Sequence, residues 1–261
     1  MQSDAAEGLP ERVSLLRAPN PGPMTLDGTN TWILRGPGAR EAVVIDPGPQ
    51  DDGHLADIAR HAPVTAILIT HGHHDHVDGA TELSRLLGGV PVAAADPQHC
   101  IDAQPLSGGP LRVAGLELTV LPTPGHTADS VCFVTPDAVF TGDTVLGRGT
   151  TVVAWPDGDL EAYLASLDLL TAYPRRLLPG HGPVRRDCAD VARAYLAHRR
   201  ERLAQVGAAV AAGADTPEAV VDVVYPDIDP GVRFAAEWSA RAQLEYLRRE
   251  SRPGSQQLDP L

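Results

Sequence analysis

Thr70-His-Gly-His-His-Asp-His76 follows directly on the apolar run Ala66-Ile-Leu-Ile69, and this junction decides the fold. In an extended chain, residues two apart point to the same side, so His71 and His73 can share one metal ion. Asp75 and His76 are adjacent, and where the chain turns toward a helix beginning at Ala80 they can face a second ion. Imidazole together with carboxylate suits zinc, and also iron or manganese. The cluster holds no cysteine that would select a softer metal.

One such cluster leaves two ions under-coordinated, and three further strand ends supply the rest. His126 follows Leu116–Leu121 in Thr-Pro-Gly-His-Thr, Asp143 follows Val139-Phe140 in Thr-Gly-Asp-Thr, and His181 follows Leu177-Leu178 in Pro-Gly-His-Gly. Ligands in α/β sheets gather beyond the carboxyl ends of strands, so four such segments can converge on one edge. A lone histidine at a strand end is usually a surface or turn residue; four segments in this order reverse that reading. His74 is out of phase and reads as solvent-facing, while His54, His61, His99 and His198 read as surface or supporting residues. Gly125, Gly142 and Gly180 are explained by tight turns.

Around these segments short apolar runs alternate with helical stretches, the mark of an α/β layer architecture. Thr31–Leu34, Ala42–Ile45, Ala66–Ile69, Val90–Ala93, Leu116–Leu121, Val131–Val134, Ala138–Phe140 and Arg176–Leu178 read as strands. Residues 54–61, 80–87 and 160–173 read as helices. After Pro183 strand-like runs cease and three helices are expected, at 190–212, 216–224 and 232–250. Thr216 caps the second of these, with Pro217 in its first turn. The boundary is placed at residue 188, giving a catalytic domain over 1–188 and a small helical domain over 189–261, frayed from Pro253. Tyr195 and Leu196 are expected to pack the first of these helices onto the catalytic domain.

Composition narrows the function classes. The formal net charge is -13, and all 21 basic residues are Arg. Residues 1–189 carry 12 Arg against 23 acidic residues, a poor counter-surface for a phosphate backbone. Cys100, Cys132 and Cys188 are odd in number and far apart, which indicates neither a disulfide framework nor a thiolate zinc site. Without a signal peptide or a membrane-length apolar run, the expectation is a soluble cytoplasmic protein with no membrane partner.

With these motifs the sequence resembles the metallo-β-lactamase superfamily, which implies an αββα sandwich with its metals at one edge. The resemblance implies two Zn2+ ions, with Fe or Mn as alternatives. His71, His73 and His126 would hold the first ion; Asp75, His76 and His181 would hold the second, with Asp143 bridging the two. Asp46, in Val-Ile-Asp-Pro-Gly, resembles the family's first motif, where the aspartate supports the site from outside. The segment Asn20–Trp32, the segment Gly147–Thr151 and the helical tail resemble the β-lactamase-like protein 2 group. That group carries a winged-helix-like C-terminal domain and includes a single-strand-specific endoribonuclease. Two departures from its pattern are Val77-Asp-Gly, where many relatives have a glycine pair, and His198-Arg-Arg-Glu-Arg-Leu203, which fits the group's H-R-x-x-R-E only in part.

Two ions about 3.5–4 Å apart can share a hydroxide and polarise the bond to be cleaved, so no serine or cysteine nucleophile is required. Asp75 is the residue placed to orient that hydroxide. The reading favoured is hydrolysis of a small-molecule acyl substrate, a thioester or ester, as in glyoxalase II-type enzymes. Cleavage of single-stranded RNA is the alternative, followed by a metal-stabilised nucleic-acid-binding module and, as a minor activity, β-lactam hydrolysis. On the third tail helix Arg241, Arg248 and Arg249 are interleaved with Glu237, Glu245 and Glu250, a pattern more typical of a solvated or packed face. Oligomeric state is left open by the sequence.

Overall fold

Hydrophobic strands that are buried on both faces build the centre of the molecule, which a computed structural model describes over residues 9–251. The first sheet runs in the order β1 (Val13–Arg17), β2 (Asn30–Arg35), β3 (Ala42–Ile45), β4 (Val64–Leu68) and β5 (Val92–Ala93). Its first three strands pair antiparallel and its last three parallel. The parallel crossovers carry α1 (Asp52–Ala59), then the one-turn α2 (His74–Val77) and α3 (Ala80–Leu86). The second sheet contains β6 (Gly109–Val113), β7 (Leu116–Pro122), β8 (Val131–Val134), β9 (Ala138–Gly142) and β10 (Arg176–Pro179). Its only parallel pair is β9 with β10, joined through α4 (Leu160–Leu170).

The two sheets face each other across Trp32, Leu34, Val43, Ile45, Leu68, Leu118, Val120, Phe133, Phe140 and Leu178. Trp32 meets Phe140 edge to face, with ring centroids 5.9 Å apart, and its indole N–H donates to the Pro179 carbonyl at 3.2 Å. Alternate residues of the same strands, Ile33, Val44 and Ile67, with Ile69 just past β4, turn outward and are covered by Leu55, Ile58 and Leu83 of α1 and α3. On the other side Val134, Val139 and Leu177 are covered by Leu160, Tyr163, Leu167 and Leu170 of α4. Helix, sheet, sheet and helix layers together make the expected αββα sandwich.

Helix starts are well specified. Asp51, Asp159 and Asp187 accept from the backbone N–H three residues on, capping α1, α4 and α5 (Cys188–Ala211). Thr216 does the same for α6 (Pro217–Val224), with Pro217 in its first turn. The last helix is α7 (Arg233–Glu250), reached through a short 3-10 turn at Pro230–Val232. The first half of α5 belongs to the outer layer of the sandwich, where Ala192, Tyr195 and Leu196 pack with Tyr163 and Leu167. Its second half, through Val206 and Ala209, packs with Val220, Val221, Ala240 and Leu244 in a separate small core. Among the described residues no strand follows β10, and the C-terminal region is built from helices. The stretch from Pro253 lies outside the described residues.

Two strands were not expected from sequence. β1 is a half-exposed edge strand, and β6 contains Gly109 and Pro110, residues that a strand tolerates only at an edge or a bulge. Val90–Ala93 shrinks to Val92–Ala93, since the Gly-Gly turn before it and the edge position leave room for two paired residues.

Candidate metal centre

All four ligand segments leave the carboxyl ends of strands on one edge of the sandwich: residues 71–76 after β4, His126 after β7, Asp143 after β9 and His181 after β10. Asp75 and His76 lie on α2, whose N-cap is His73. The structure brings all seven predicted residues together. Ligand-capable atoms of His71, His73 and His126 lie within 4.8 Å of one another, as do those of Asp75, His76 and His181, and those of His71, His76 and Asp143. Asp143 thus meets both triads: its Oδ1 lies 3.5 Å from His76 Nε2, and its Oδ2 lies 3.3 Å from His181 Nε2 and 3.9 Å from His126 Nε2.

Surrounding hydrogen bonds decide which way each ring points its lone pair. His126 Nδ1 donates to the Val152 carbonyl at 2.6 Å, leaving Nε2 as the bare nitrogen facing inward. His76 Nδ1 donates to Asp46 Oδ2 at 2.8 Å, and His181 Nδ1 faces the Gly28 carbonyl at 3.3 Å. The Thr70 hydroxyl donates to Asp46 Oδ2 at 2.7 Å, so toward His71 Nδ1, 3.1 Å away, it can only accept. Inward-facing nitrogens consequently crowd one another: His71 Nε2 and His126 Nε2 each lie 3.0 Å from His73 Nδ1, and His76 Nε2 lies 3.2 Å from His181 Nε2. Ring nitrogens crowded together, beside a buried Asp143 Oδ1 that has no hydrogen-bond partner, form a donor set that fits a cation.

Electrostatics divide the site in two. Burial holds His71 and His73 below the usual imidazole range and brings His126 down to about 4, so this triad is neutral and able to ligate. Burial opposes charge on His76 and His181 too. There the carboxylates win: Asp75, Asp143 and Asp46 raise His76 to about 9, and Asp143 with Asp75 raises His181 to about 11. Burial works to raise Asp143, but His181, His76 and His126 hold it down at about 2. Asp75 also lies below its usual range, because His76, His181 and the Thr29 hydroxyl outweigh its burial. Two ionised carboxylates in a closed site create a potential that favours positive charge, which divalent ions satisfy.

Support comes from Asp46, as the resemblance implies, from His54, and from Thr29 and Asn20, whose roles the sequence did not reveal. Asp46 closes β3 with φ 53°, in the left-handed region, and accepts from the Thr70 backbone N–H at 2.8 Å, from the Thr70 hydroxyl and from His76. An unfavourable backbone at such a point is held by its surroundings: Thr31 Oγ1 donates to the Asp46 carbonyl at 2.6 Å, and His54 Nε2 lies 2.9 Å from that hydroxyl. His54 is therefore a buried supporting residue, whereas His74 is exposed as expected. Thr29 Oγ1 donates to Asp75 Oδ2 at 3.1 Å and is itself held by Asn20. Both residues fall in the Asn20–Trp32 segment, where the signal was a pattern without a role. Gly180 departs from the tight-turn reading. Its φ is not positive; a Cβ there would lie 2.4 Å from Asp143 Oδ1 and 2.7 Å from His76 Cε1, so glycine is needed for room.

A sequence model described as the metallo-beta-lactamase superfamily matches residues 24–181, well over half the chain. The chain belongs to the metallo-beta-lactamase superfamily. Within that superfamily, a beta-lactamase-like protein 2 homolog from Drosophila melanogaster is 33% identical over 262 residues, covering 89% of this chain and 86% of the relative. An atrochrysone carboxyl ACP thioesterase from Aspergillus fumigatus is 38% identical over 192 residues, which cover 67% of this chain and 58% of that enzyme. A metallo-beta-lactamase family protein from Thermus thermophilus matches with a TM-score of 0.74 at 25% identity, over 91% of this chain and 93% of the solved one. With its buried His/Asp clusters, which fit a dinuclear metal site, this superfamily member is a metal-dependent hydrolase. Among the described residues no helix is long and apolar enough to cross a membrane.

Proposed function

We propose that the chain hydrolyses acyl thioesters at a dinuclear zinc centre. The observation that carries this reading is the buried Asp143 carboxylate, which turns one oxygen toward His76 and the other toward His126 and His181. The thioesterase among the relatives supports a carbonyl substrate. The excess of acidic over basic residues also favours a small acyl substrate over a polyphosphate chain.

Divalent ions bound there would polarise the scissile carbonyl and lower the pKa of water. The remaining steps belong to the chain. His71, His73 and His126, kept neutral by burial, would hold one ion through their ring nitrogens, and His76 and His181 with Asp75 would hold the other. The contacts to Asp75 from Thr29, His181 and His76 all fall on Oδ2, which leaves Oδ1 to accept a hydrogen bond from the attacking water and aim it. Water adds to the carbonyl carbon, the C–S bond breaks, and a carboxylic acid and a thiol are released. No side-chain nucleophile takes part. Imidazole and carboxylate donors favour zinc, and iron or manganese would find the same donor types acceptable. The three cysteines, all free, suit a reducing compartment, and we place the protein in the cytoplasm.

The test is one metal-loaded preparation assayed on an acyl thioester, S-lactoylglutathione, single-stranded RNA and a β-lactam, with and without a chelator. Thioester hydrolysis preferred by about 100-fold, a transition-state difference of roughly 2.7 kcal/mol, is the expected result. RNA cleavage as the dominant chelator-sensitive activity would replace this reading with the nuclease one.

A further inference from the structure

The helical region touches the metal centre's supports through one buried cation. Arg199 projects from α5 and is only 5% exposed, yet among the described residues it forms no ion pair. Its Nη2 donates to the Thr151 carbonyl, its guanidinium lies 5.2 Å from the centroid of the Tyr163 ring, and its Nε is buried without a partner. A charge taken out of water costs several kcal/mol, and one carbonyl with one ring face offsets that only in part. What Arg199 holds is therefore the informative point.

Thr151 sits between two ligand supports. Its hydroxyl donates to the Asp143 carbonyl at 2.8 Å, and the next residue, Val152, supplies the carbonyl that fixes His126. The ring beneath the guanidinium is tied to the same segment, since Tyr163 Oη donates to the Thr144 carbonyl at 2.8 Å. One turn earlier on α5, the Tyr195 hydroxyl accepts from the Leu146 N–H at 3.1 Å. Every one of these bonds lands on residues 143–153.

We propose that Arg199 is a positioning residue for the metal centre: by holding the Thr151 carbonyl from α5 it fixes the aim of both Asp143 and His126, so the helical region sets the site's affinity for metal. The proposal rests on the reading of residues 71–181 as a metal centre. Arg202, on the same helix, provides a matched control. Its guanidinium lies 4.5 Å from the Tyr225 ring centroid, its Nη1 donates to the Val224 carbonyl at 3.1 Å, and its Nε is likewise buried without a partner. The ring and carbonyl contacts are of the same kind, but Arg202 is half-buried, also donates to Gln205 Oε1 at 2.8 Å, and spends its contacts at the end of α6.

The experiment titrates full-length wild type, Arg199→Met, Arg202→Met and Thr151→Val with Zn2+ against a chromophoric chelator, and records the d–d absorption of the Co2+-loaded forms. Arg199→Met and Thr151→Val should weaken metal binding by about tenfold or more, the usual scale for a lost outer support, and should shift the cobalt spectrum. Arg202→Met should do neither. Wild-type affinity in Arg199→Met, or equal weakening by Arg202→Met, would overturn the positioning role alone. If Arg199→Met fails to fold, Thr151→Val decides: an unchanged affinity there overturns the proposal. A wild type that binds no metal overturns the metal-centre reading and this inference together.

Discussion

Asp46 and His76 meet at 2.8 Å with neither side chain more than 1% exposed, so an aspartate at the end of β3 fixes the ring of a residue thirty positions later on α2. The same carboxylate holds Thr70 by two hydrogen bonds, at 2.8 and 2.7 Å. Asp46→Asn keeps the shape but cannot accept on both sides. Metal affinity should fall by roughly 10–100-fold with the fold intact, read by chelator competition alongside circular dichroism. An affinity equal to wild type would show that the bond is incidental.

Among the described residues Asp143 is the one carboxylate that faces both triads. Asp143→Ala should therefore lower the metal content from close to two ions per chain at both sites rather than at one. Elemental analysis of wild type and variant measures this. A wild type holding a single ion, unchanged in the variant, is incompatible with a shared carboxylate.

Trp32 joins the sheets by packing on Phe140 and by donating to Pro179, next to the His181 segment. Removing a fully buried indole should cost about 3–5 kcal/mol. Urea unfolding of Trp32→Ala against wild type reads the loss directly, and a midpoint within experimental error of wild type would mean the inter-sheet layer repacks around the gap.

Substrate class leaves an electrostatic signature. RNA binding that engages several phosphates should weaken by about 0.7 log units per contact for each tenfold rise in salt, while a small acyl thioester should show almost no slope. Binding of both to a metal-loaded Asp75→Asn variant across a salt series makes the comparison, with flat thioester binding and weak RNA binding expected. Submicromolar RNA affinity with a steep slope, and no thioester binding, would falsify the carbonyl-hydrolase proposal.

Truncation before Ala189 strips Ala192, Tyr195 and Leu196 from the outer layer and uncovers Tyr163 and Leu167. The expected outcome is aggregation, visible in size-exclusion chromatography. A soluble, fully active fragment would show the helical region to be dispensable to both packing and turnover.

The ligand positions were readable because each is a polar residue placed abruptly after an apolar run, as in Ile69-Thr70-His71 or Leu178-Pro179-Gly180-His181. Strands buried on both faces were readable for the same reason: Val43-Val44-Ile45 needs no alternation to be recognised. Much of what escaped was half-exposed or carried by backbone atoms. Nothing in Val13–Arg17 distinguishes an edge strand from a loop, and Pro110 argues against the strand it occupies. The carbonyls of Gly28, Val152 and Thr151 act through groups that every residue possesses, so no side-chain pattern marks them. Arg199 follows His198 in the partial H-R-x-x-R-E match, a pattern that carries no role by itself; its depth, which Arg193 and Arg200 lack, supplies one.

The 24 residues of α5 amount to a rod of about 36 Å, with its first half in the sandwich and its second half in the small helical core. Chains usually pass between hydrophobic units through an exposed linker that lets them swing. Here the joint is one unbroken helix, whose single glycine, Gly207, lies between Val206 and Ala209 of the small core. Ala242 of α7 packs in the outer layer as well, and Arg249 pairs with Asp159, so a displacement of the small core would reach the sandwich through both helices, and along α5 it would arrive at the turn that bears Tyr195 and Arg199. A partner that tugged on the distal helices would thus be working a lever whose short arm ends beside Asp143.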